Sequence, residues 1–346
     1  MGLAILGDIM LGRHQAPLIE KHGLDKILHP LISVIGERKI IANLESPLLN
    51  TQYSDENNKI SKLSAKEKYA KILSDIGFSA VSLGNNHIFD FGLDGLINTQ
   101  SLLEKNSIKY FGAGKNRKEA ISASIINLGQ KTIGLIGFSF CNRAEESKAG
   151  VAYLYDNSVE DSIKDLKDKA DFIISMPHAG IELYEYPLKR DQKIYKRMIE
   201  LGVDLVVGSQ SHCVQAREKY LGKYIYYSLG DLLFDHYHEE TWNDFTSDIS
   251  HVKKYSLKPN RHLPQYSLIL IIDIINNDLV VHHKPIINAK GFNPKFLNGA
   301  NLVKWDKKFE SINDKLQNDP FIDEERTKIE KKLIKDLLKR KVLING

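Results

Sequence analysis

Six short apolar runs in this chain each end beside a polar residue that could hold a metal ion. Such runs are typical of buried strands, and ligands bind beyond the carboxyl ends of the strands in open α/β sheets. Carboxylate, amide and imidazole groups that meet at one sheet edge supply what a hydrolytic metal centre needs. The sequence therefore predicts a metal or polar catalytic site from the strand-end residues Asp8, Glu45, Asn85, Asn86, His87, His178, Gln210, His212 and Asp231.

These residue types suit different tasks. A carboxylate such as Asp8, flanked by glycines, can bridge two cations, although turn and helix-capping aspartates are also common. Asn86 can ligate through its amide oxygen, and His87 can act as a general acid near neutral pH. Asp90, three residues after His87, could orient that imidazole or instead cap the following helix.

Several of the same residues have an ordinary structural alternative. A glutamate like Glu45 is usually a solvated loop residue, and a lone histidine like His178 or His212 is more often structural. Glu182 adds a carboxylate four residues after His178. The repetition of ligand-type residues at successive strand ends favours a site over separate coincidences.

Cysteine usage indicates no disulfide framework, because only Cys141 and Cys213 are present, as in proteins of a reducing cytoplasm. Cys213 follows His212, so a thiol nucleophile is an alternative. Adjacent strand residues point to opposite faces, so we expect the two side chains not to touch. Both cysteines are predicted to be small core residues.

Composition excludes some classes of protein. The chain has 346 residues, 42% of them hydrophobic and 27% charged, as in ordinary globular proteins. A net charge of +4 is too weak to indicate nucleic-acid binding, but it suits an anionic substrate. No phosphate-binding Gly-rich loop or Gly-x-Ser-x-Gly elbow occurs. No apolar run reaches the roughly 18–20 residues of a membrane span, and no export signal precedes the first strand, so we expect a cytoplasmic protein.

Strands alternate with amphipathic helices as far as about residue 235, which predicts an α/β fold with a largely parallel sheet. The helices are predicted at residues 16–27, 65–76, 93–105, 159–169 and 189–201. Residues 236–262 lack periodicity, and we interpret them as a lid or inserted loop beside the cleft. An antiparallel hairpin turning at Asn276-Asn277-Asp278 follows.

The end of the chain predicts amphipathic helices that dock on the main domain or on a partner. One apolar stripe contains Trp305, Phe309, Ile312 and Leu316, and another contains Ile329, Leu333, Leu337 and Leu338. We therefore predict a main domain over residues 1–290 and a C-terminal helical extension over residues 291–346.

Seven stretches, in order, closely resemble the CapA-like family of capsule synthesis proteins associated with poly-γ-glutamate. They are GDIMLGR (7–13), ANLESPL (42–48), LGNNHIFDFGLDGL (83–96), GAG (112–114), HAGIELYEYP (178–187), LGVDLVVGSQSHCVQ (201–215) and YYSLGDLLFD (226–235). That family looks like a branch of the calcineurin-like metallophosphoesterase fold. The resemblance implies a layered β-sandwich flanked by helices, with the C-terminal helical extension added to it.

The resemblance also implies roles for individual residues. It assigns one or two divalent ions, of manganese, iron or zinc, to the ligands Asp8, Glu45, Asn86, His178 and His212, with Gln210 beside them. It places His87 facing the substrate and Glu182 either behind the ligands or on the substrate side. With Asp90, which its spacing predicts to orient His87, these are the predicted catalytic residues. Independently of the resemblance, we predict substrate-side positions at Arg13, His14, Asn85 and Arg143. Arg217 is a further cation that could attract an anionic polymer, although each of these basic residues could equally be an ordinary surface residue.

Three departures from the family pattern bear on metal binding. Met10 stands where classical phosphoesterases carry a histidine, and the CapA-like branch generally lacks that histidine too. Gln210 stands where the CapA-like family usually has a histidine. His-Ala-Gly replaces His-Trp-Gly, and Asp231 replaces an asparagine. An amide is a weaker ligand than imidazole for zinc, so a second ion would be weakly held or absent unless Asp231 compensates.

The function implied is that of a metal-dependent hydrolase or transferase acting on an anionic capsule polymer or a phosphoester, with a capsule-synthesis partner at the membrane. One alternative is a non-catalytic accessory protein of polymer synthesis. Another is a general phosphodiesterase or nucleotidase unrelated to capsules.

Overall fold

The structure, a computed structural model, describes residues 2–50, 62–235, 263–288 and 292–344, with side chains of the last helix described to Lys335. The strands in chain order are β1 (Leu3–Ile9), β2 (Lys39–Leu44), β3 (Leu48–Leu49), β4 (Ala65–Lys66), β5 (Phe78–Ser82), β6 (Lys109–Phe111), β7 (Ala113–Gly114), β8 (Ser124–Leu128), β9 (Lys131–Ser139), β10 (Gly150–Val151), β11 (Phe172–His178), β12 (Leu205–Val207), β13 (Arg217–Tyr220), β14 (Lys223–Tyr226), β15 (Asp231–Leu233), β16 (Tyr266–Ile275), β17 (Asp278–Ile287) and β18 (Lys295–Phe296). The helices are α1 (Gln15–His22), α2 (Leu24–Ile35), α3 (Lys68–Ile76), α4 (Gly92–Lys105), α5 (Arg117–Ala120), α6 (Ser158–Leu166), α7 (Lys189–Leu201), α8 (Gly299–Asn318) and α9 (Pro320–Ile344). The predicted lid, residues 236–262, lies outside the described residues.

Two large sheets carry the fold. The first has the order β18-β17-β16-β1-β2-β5-β6, and β15 pairs with the end of β1. Its strands β1, β2, β5 and β6 are parallel, whereas β16 to β18 are antiparallel to their neighbours. The second sheet has the order β13-β14-β12-β11-β9-β8, with four parallel strands between two antiparallel edges. The carboxyl ends of the parallel strands in each sheet therefore share one edge.

The sheets pack face to face, with helices outside. Along β1 the side chains alternate, because Leu3 and Ile5 join the cluster between the sheets while Ala4 and Leu6 join the cluster under the outer helices. Helices α1 to α4 cover the first sheet, and α6 to α9 cover the second. Strands buried on both faces are continuously apolar, which explains the unbroken runs in the sequence. The predicted layered sandwich flanked by helices is confirmed.

Three predicted helices, 93–105, 159–169 and 189–201, are confirmed within a few residues as α4, α6 and α7. Two predictions are wrong in extent. The helix expected at 16–27 is divided at Gly23, which has φ of 81° and separates α1 from α2. The segment 65–76 begins with β4, which pairs with β3, and its helix starts only at Lys68.

The predicted hairpin is confirmed as β16 and β17, joined through Asn276 and Asn277. Their φ values of 51° and 65° are those of a type I′ turn, which asparagine tolerates better than most residues.

The C-terminal helices dock on the sandwich. The predicted stripe of Trp305, Phe309, Ile312 and Leu316 is buried along α8. In α9, Ile329 is buried and Leu333 packs beside it, whereas the side chains of residues 337 and 338 are outside the described part. Within the described ranges, no helix combines the length and apolar character needed to cross a membrane. The domain limits stay a prediction.

Candidate metal centre

Glu45 is a buried carboxylate at the meeting point of the two sheets. It follows β2, its side chain is 0% exposed, and neither of its oxygens accepts a hydrogen bond from the described residues. Its Oε1 lies 3.5 Å from His178 Nε2 and 3.9 Å from His212 Nε2. Burial opposes its ionisation, but the charges of His178 and His212 together hold the pKa of this carboxyl below its usual value. A buried carboxylate without hydrogen bonds is suited to holding a cation.

Asp8 and His212 form the first ligand group with Glu45. One ligand atom from each of these three buried residues lies within 4.8 Å of the others. Burial and the charge of Glu45 raise the pKa of Asp8 to about 7, against the opposing effect of His178 and His212. The ionised carboxylates of Asp8 and Glu45 repel each other at this distance. A cation between them would therefore stabilise both in the ionised form.

The backbone of β1 is adapted to bring Asp8 into this group. The register with β2 shifts between Ile5 and Asp8, so the end of the strand is re-aimed as in a bulge. A Cβ atom on Gly7 would lie 2.0 Å from the carbonyl oxygen of Gly230, so only glycine allows β1 to approach β15 this closely. Asp8 Oδ1 accepts a hydrogen bond from Asn43 Nδ2 at 2.9 Å.

A second ligand group shares Glu45 with the first. His178, at the end of β11, has Nε2 at 2.9 Å from Asn86 Oδ1 and at 3.5 Å from Glu45 Oε1. Its Nδ1 lies 2.7 Å from Ser209 Oγ, a contact that fixes the plane of the ring. Two sets of potential ligands therefore meet at one carboxylate, one through His212 and one through His178.

The orientation of His212 is fixed by Asp231. His212 Nδ1 lies 2.9 Å from Asp231 Oδ1, and the ring centroids of His212 and Phe234 are 4.6 Å apart. Burial lowers the pKa of His212, but Asp231, Glu45 and Glu182 outweigh it and raise the pKa to about 10. Asp231, considered from sequence as an additional ligand, instead contacts the nitrogen of His212 that points away from Glu45.

Gln210 lies in the same loop and is almost fully buried. Its backbone N–H donates to Asp8 Oδ2 at 3.2 Å, and its side-chain amide donates to Glu182 Oε1 at 3.3 Å. The Oε1 atom of Gln210 accepts no hydrogen bond from any residue in the described ranges. Gln210 and His212 have φ of 92° and 52°, in the left-handed region where residues other than glycine are strained. The loop is thus held in a costly conformation at the site itself.

His87 and Asp90 form a pair beside the buried ligands. His87 Nδ1 lies 2.8 Å from Asp90 Oδ2, which also accepts the backbone N–H of Leu63 at 2.6 Å. The imidazole is 21% exposed, whereas Glu45 is sealed from solvent. Helix α4 begins after Phe91 with no side-chain cap, so Asp90 contacts His87 and does not cap that helix.

Asn85, predicted on the substrate side, faces inward and is fully buried. Its amide donates to Asn43 Oδ1 and to the carbonyl of Leu44, and its Oδ1 accepts the backbone N–H groups of His87 and Ile88. These four bonds shape the turn that carries His87, a placement that suits positioning better than contact with substrate.

The arginines predicted on the substrate side each have an acidic neighbour. Arg13 pairs with Asp235, which also accepts the backbone N–H of His14 at 3.3 Å. Arg143 pairs with Asp156 at 2.9 Å and remains 55% exposed. In addition, Arg217 lies on the edge strand β13, where it pairs with Glu310 of α8 at 3.0 Å. An anionic substrate would have to compete with these carboxylates.

Asn43 is a site residue that the sequence reasoning missed. Its amide contacts Asp8 Oδ1 at 2.9 Å and His178 Nδ1 at 3.2 Å, so it links both ligand groups. Asn43 precedes Glu45 by two residues, and that spacing puts two side chains on the same face of an extended chain. This spacing was the signal that could have identified it.

The prediction for the cysteines is correct for one of them. Cys213 is fully buried, and burial raises the pKa of its thiol well above the ordinary value. Cys213 lies in a loop and not in a strand, so the alternation of side chains along a strand does not separate it from His212. Cys141 is only half-buried, near Ser139 at the end of β9, so placing it in the core was wrong.

The donor set fits a divalent metal ion. Carboxylate oxygens come from Asp8 and Glu45, an imidazole from each of His178 and His212, and amide oxygens from Asn86 and Gln210. Met10 contributes none of these, because its sulfur accepts the backbone N–H of Gly12 at 3.1 Å and packs with Leu63 and Phe234. In this candidate donor set, oxygen donors therefore outnumber nitrogen donors.

Comparison with known proteins agrees with this architecture. The chain is 28% identical to the capsule biosynthesis protein CapA of Bacillus anthracis over 247 residues, covering 67% of this chain and 59% of that protein. It is also 28% identical to the PGA biosynthesis protein CapA of Bacillus subtilis over 268 residues, covering 75% of this chain and 68% of that protein. The chain thus spans about three fifths of the length of the anthracis relative.

The fold is shared with solved structures. One described as a novel phosphatase from Mycoplasma pneumoniae superposes with a TM-score of 0.51 at 12% identity, over 83% of this chain and 93% of the other. The protein has a metallophosphoesterase-like fold. Residues 2–236 match the profile of the family described as bacterial capsule synthesis protein PGA_cap, which covers the whole of the described site. The chain belongs to this PGA_cap family of capsule synthesis proteins.

Proposed function

We propose that this protein is a divalent-metal-dependent hydrolase or transferase that acts on an anionic capsule polymer or a phosphoester. The observation that carries the proposal is the buried, unbonded carboxylate of Glu45, shared by two ligand groups and bordered by a partly exposed imidazole. One or two ions, each of manganese, iron or zinc, are compatible with the donor set. The names of the two CapA relatives refer to capsule and PGA biosynthesis, which supports a capsule polymer as substrate. A capsule-synthesis partner at the membrane is part of the same proposal.

Some of the site residues would bind the metal ion, and others would transfer protons. A bound divalent ion would supply Lewis acidity and a lowered pKa for water. Asp8, Glu45, His178 and His212 would hold it, because their side chains surround the same buried space. Glu182 would act from the substrate side, through its contact with Gln210.

His87 is proposed as the acid that protonates the leaving group. Because Asp90 accepts the proton on Nδ1, the other ring nitrogen, Nε2, is the one that can serve the substrate. An imidazolium would give its Nε2 proton to the leaving oxygen or nitrogen and become the neutral Nδ1–H tautomer, which Asp90 holds in orientation.

The test is turnover by the metal-loaded protein, with a small chromogenic phosphodiester and poly-γ-glutamate as substrates. His87→Gln should keep its metal and lose activity by about 10²- to 10⁴-fold. Lys105→Gln, on the exposed end of α4, serves as the control and should behave as wild type. Hydrolysis of the phosphodiester alone would indicate a general phosphodiesterase. Metal binding without turnover of either substrate would contradict the enzyme proposal and favour an accessory role.

A further inference from the structure

The loop that carries Glu182, residues 179–188, is tied to the candidate metal centre. Glu182 accepts the side-chain amide of Gln210 at 3.3 Å, and the backbone N–H of Leu183 donates to the carbonyl of Ser211 at 2.7 Å. Leu183 has φ of 56°, which is strained for a branched apolar residue. The loop therefore needs contacts that hold this conformation.

Gln215 supplies two of these contacts from within the matched region, because its side-chain amide donates to the carbonyls of Tyr184 and Tyr186. Further contacts come from α9, which lies beyond the residues that match the family profile. Arg326 of α9 is only 2% exposed; its Nε donates to the carbonyl of Pro187 at 2.7 Å and its Nη2 donates to Gln192 Oε1 at 2.6 Å. Tyr184 of the loop donates its hydroxyl to Glu325 Oε2 at 2.8 Å. A buried guanidinium that binds a loop carbonyl is a rigid tie, because breaking it would leave a charge without a partner.

Helix α8 makes further contacts with the same loop. Lys308 Nζ lies 2.7 Å from Glu185 Oε1, and Ile312 packs in the same buried cluster as Tyr184 and Tyr186. The loop thus lies between the C-terminal helices on one side and the loop of Gln210 and His212 on the other. The helices contact Tyr184, Glu185 and Pro187, so a displacement of either helix would move the loop that carries Glu182.

We propose that the C-terminal helix pair is a positioning element of the metal centre, with Arg326 as its main positioning residue. Arg326 touches neither the ligands nor the substrate space. It fixes the 179–188 loop, and the loop in turn keeps Glu182 against Gln210. The effect on metal binding rests on the proposed function, whereas the effect on the loop does not.

The test compares Arg326→Met with Lys189→Ala. Methionine keeps much of the arginine volume without leaving a buried charge. Lys189 also contacts α9, through Asp323 at 2.7 Å, but it lies outside the 179–188 loop and serves as the matched control. Hydrogen exchange of the amides in residues 181–186 and in β11, together with Mn²⁺ titration, is measured on the full chain.

In Arg326→Met, exchange in residues 181–186 should rise by about tenfold or more while β11 is unchanged, as expected for loss of a charge-assisted hydrogen bond. Mn²⁺ affinity should fall by about tenfold, the size of effect known for outer-shell partners of metal ligands. Lys189→Ala should change neither quantity.

Unchanged exchange in the loop would overturn the proposal, and so would a uniform rise across the protein with unaltered Mn²⁺ affinity. If Arg326→Met does not fold, Tyr184→Phe removes the bond to Glu325 and should give the same pattern at smaller size. If the wild type binds no Mn²⁺, the proposed function fails, and the loop-specific exchange alone decides the positioning role.

Discussion

Asp231 and His212 form a buried pair in which the carboxylate Oδ1 lies 2.9 Å from the imidazole Nδ1. The pair sets the tautomer of His212, because a carboxylate accepts the Nδ1 proton and leaves Nε2 turned toward Glu45 at 3.9 Å. Metal-binding histidines commonly depend on such a partner for orientation and basicity. The aspartate that replaces the usual asparagine at this position thus acts on a ligand.

Replacing this partner should weaken metal binding without unfolding the protein. Asp231→Asn keeps the size of the side chain but removes the charge that holds Nδ1–H, so Mn²⁺ affinity should fall by about 10- to 100-fold. Calorimetric titration measures this loss. Asp235→Asn provides the matched control, since Asp235 is a buried aspartate that pairs with Arg13 just beyond the other end of β15. Equal affinity in wild type and Asp231→Asn would show that His212 does not bind metal through this arrangement.

Metal binding should release protons in a pH-dependent number. The pKa values of Asp8, about 7, and His212, about 10, are both raised in the metal-free protein, and both groups must lose their protons to bind a cation. About two protons should therefore be displaced near pH 6 and about one near pH 8.5, so affinity rises with pH and rises more steeply below pH 7.

Calorimetry in buffers of different ionisation enthalpy counts these protons directly. Proton release that does not change between the two pH values would contradict the raised pKa of Asp8. If metal binding released no protons at either pH, His212 would also be excluded as a ligand.

Gln210→His should change which metal the centre prefers. The amide oxygen of Gln210 is a harder donor than imidazole, so the wild type should favour Mn²⁺ over Zn²⁺ more than the variant does, by at least about tenfold. Histidine tolerates the φ of 92° at this position better than most residues do. Competition between the two ions, followed by elemental analysis, measures the ratio. An unchanged ratio would mean that residue 210 does not contact the metal.

The sandwich and its ligand-bearing edge were predictable, because strands buried on both faces leave long apolar runs that stop at polar residues. The contacts of Asp231 and Arg326 were not. Each of these residues contacts a side chain or a carbonyl that is distant along the chain. Such a contact leaves no periodic pattern in the sequence. The break at Gly23 was missed for a related reason, since the apolar spacing continues through the glycine and only its φ divides the helix.

The central claim is that Glu45 holds a divalent metal ion, and its most direct test is the metal content of the wild type and of Glu45→Gln after dialysis against Mn²⁺. Glu20→Gln, at an exposed glutamate that pairs with Lys68, is the control. We expect about one or two equivalents in the wild type and the control and almost none in Glu45→Gln, since a neutral amide cannot replace the shared carboxylate. A folded wild-type protein that binds no Mn²⁺, Fe²⁺ or Zn²⁺, or a Glu45→Gln variant that keeps its full metal content, would contradict the claim.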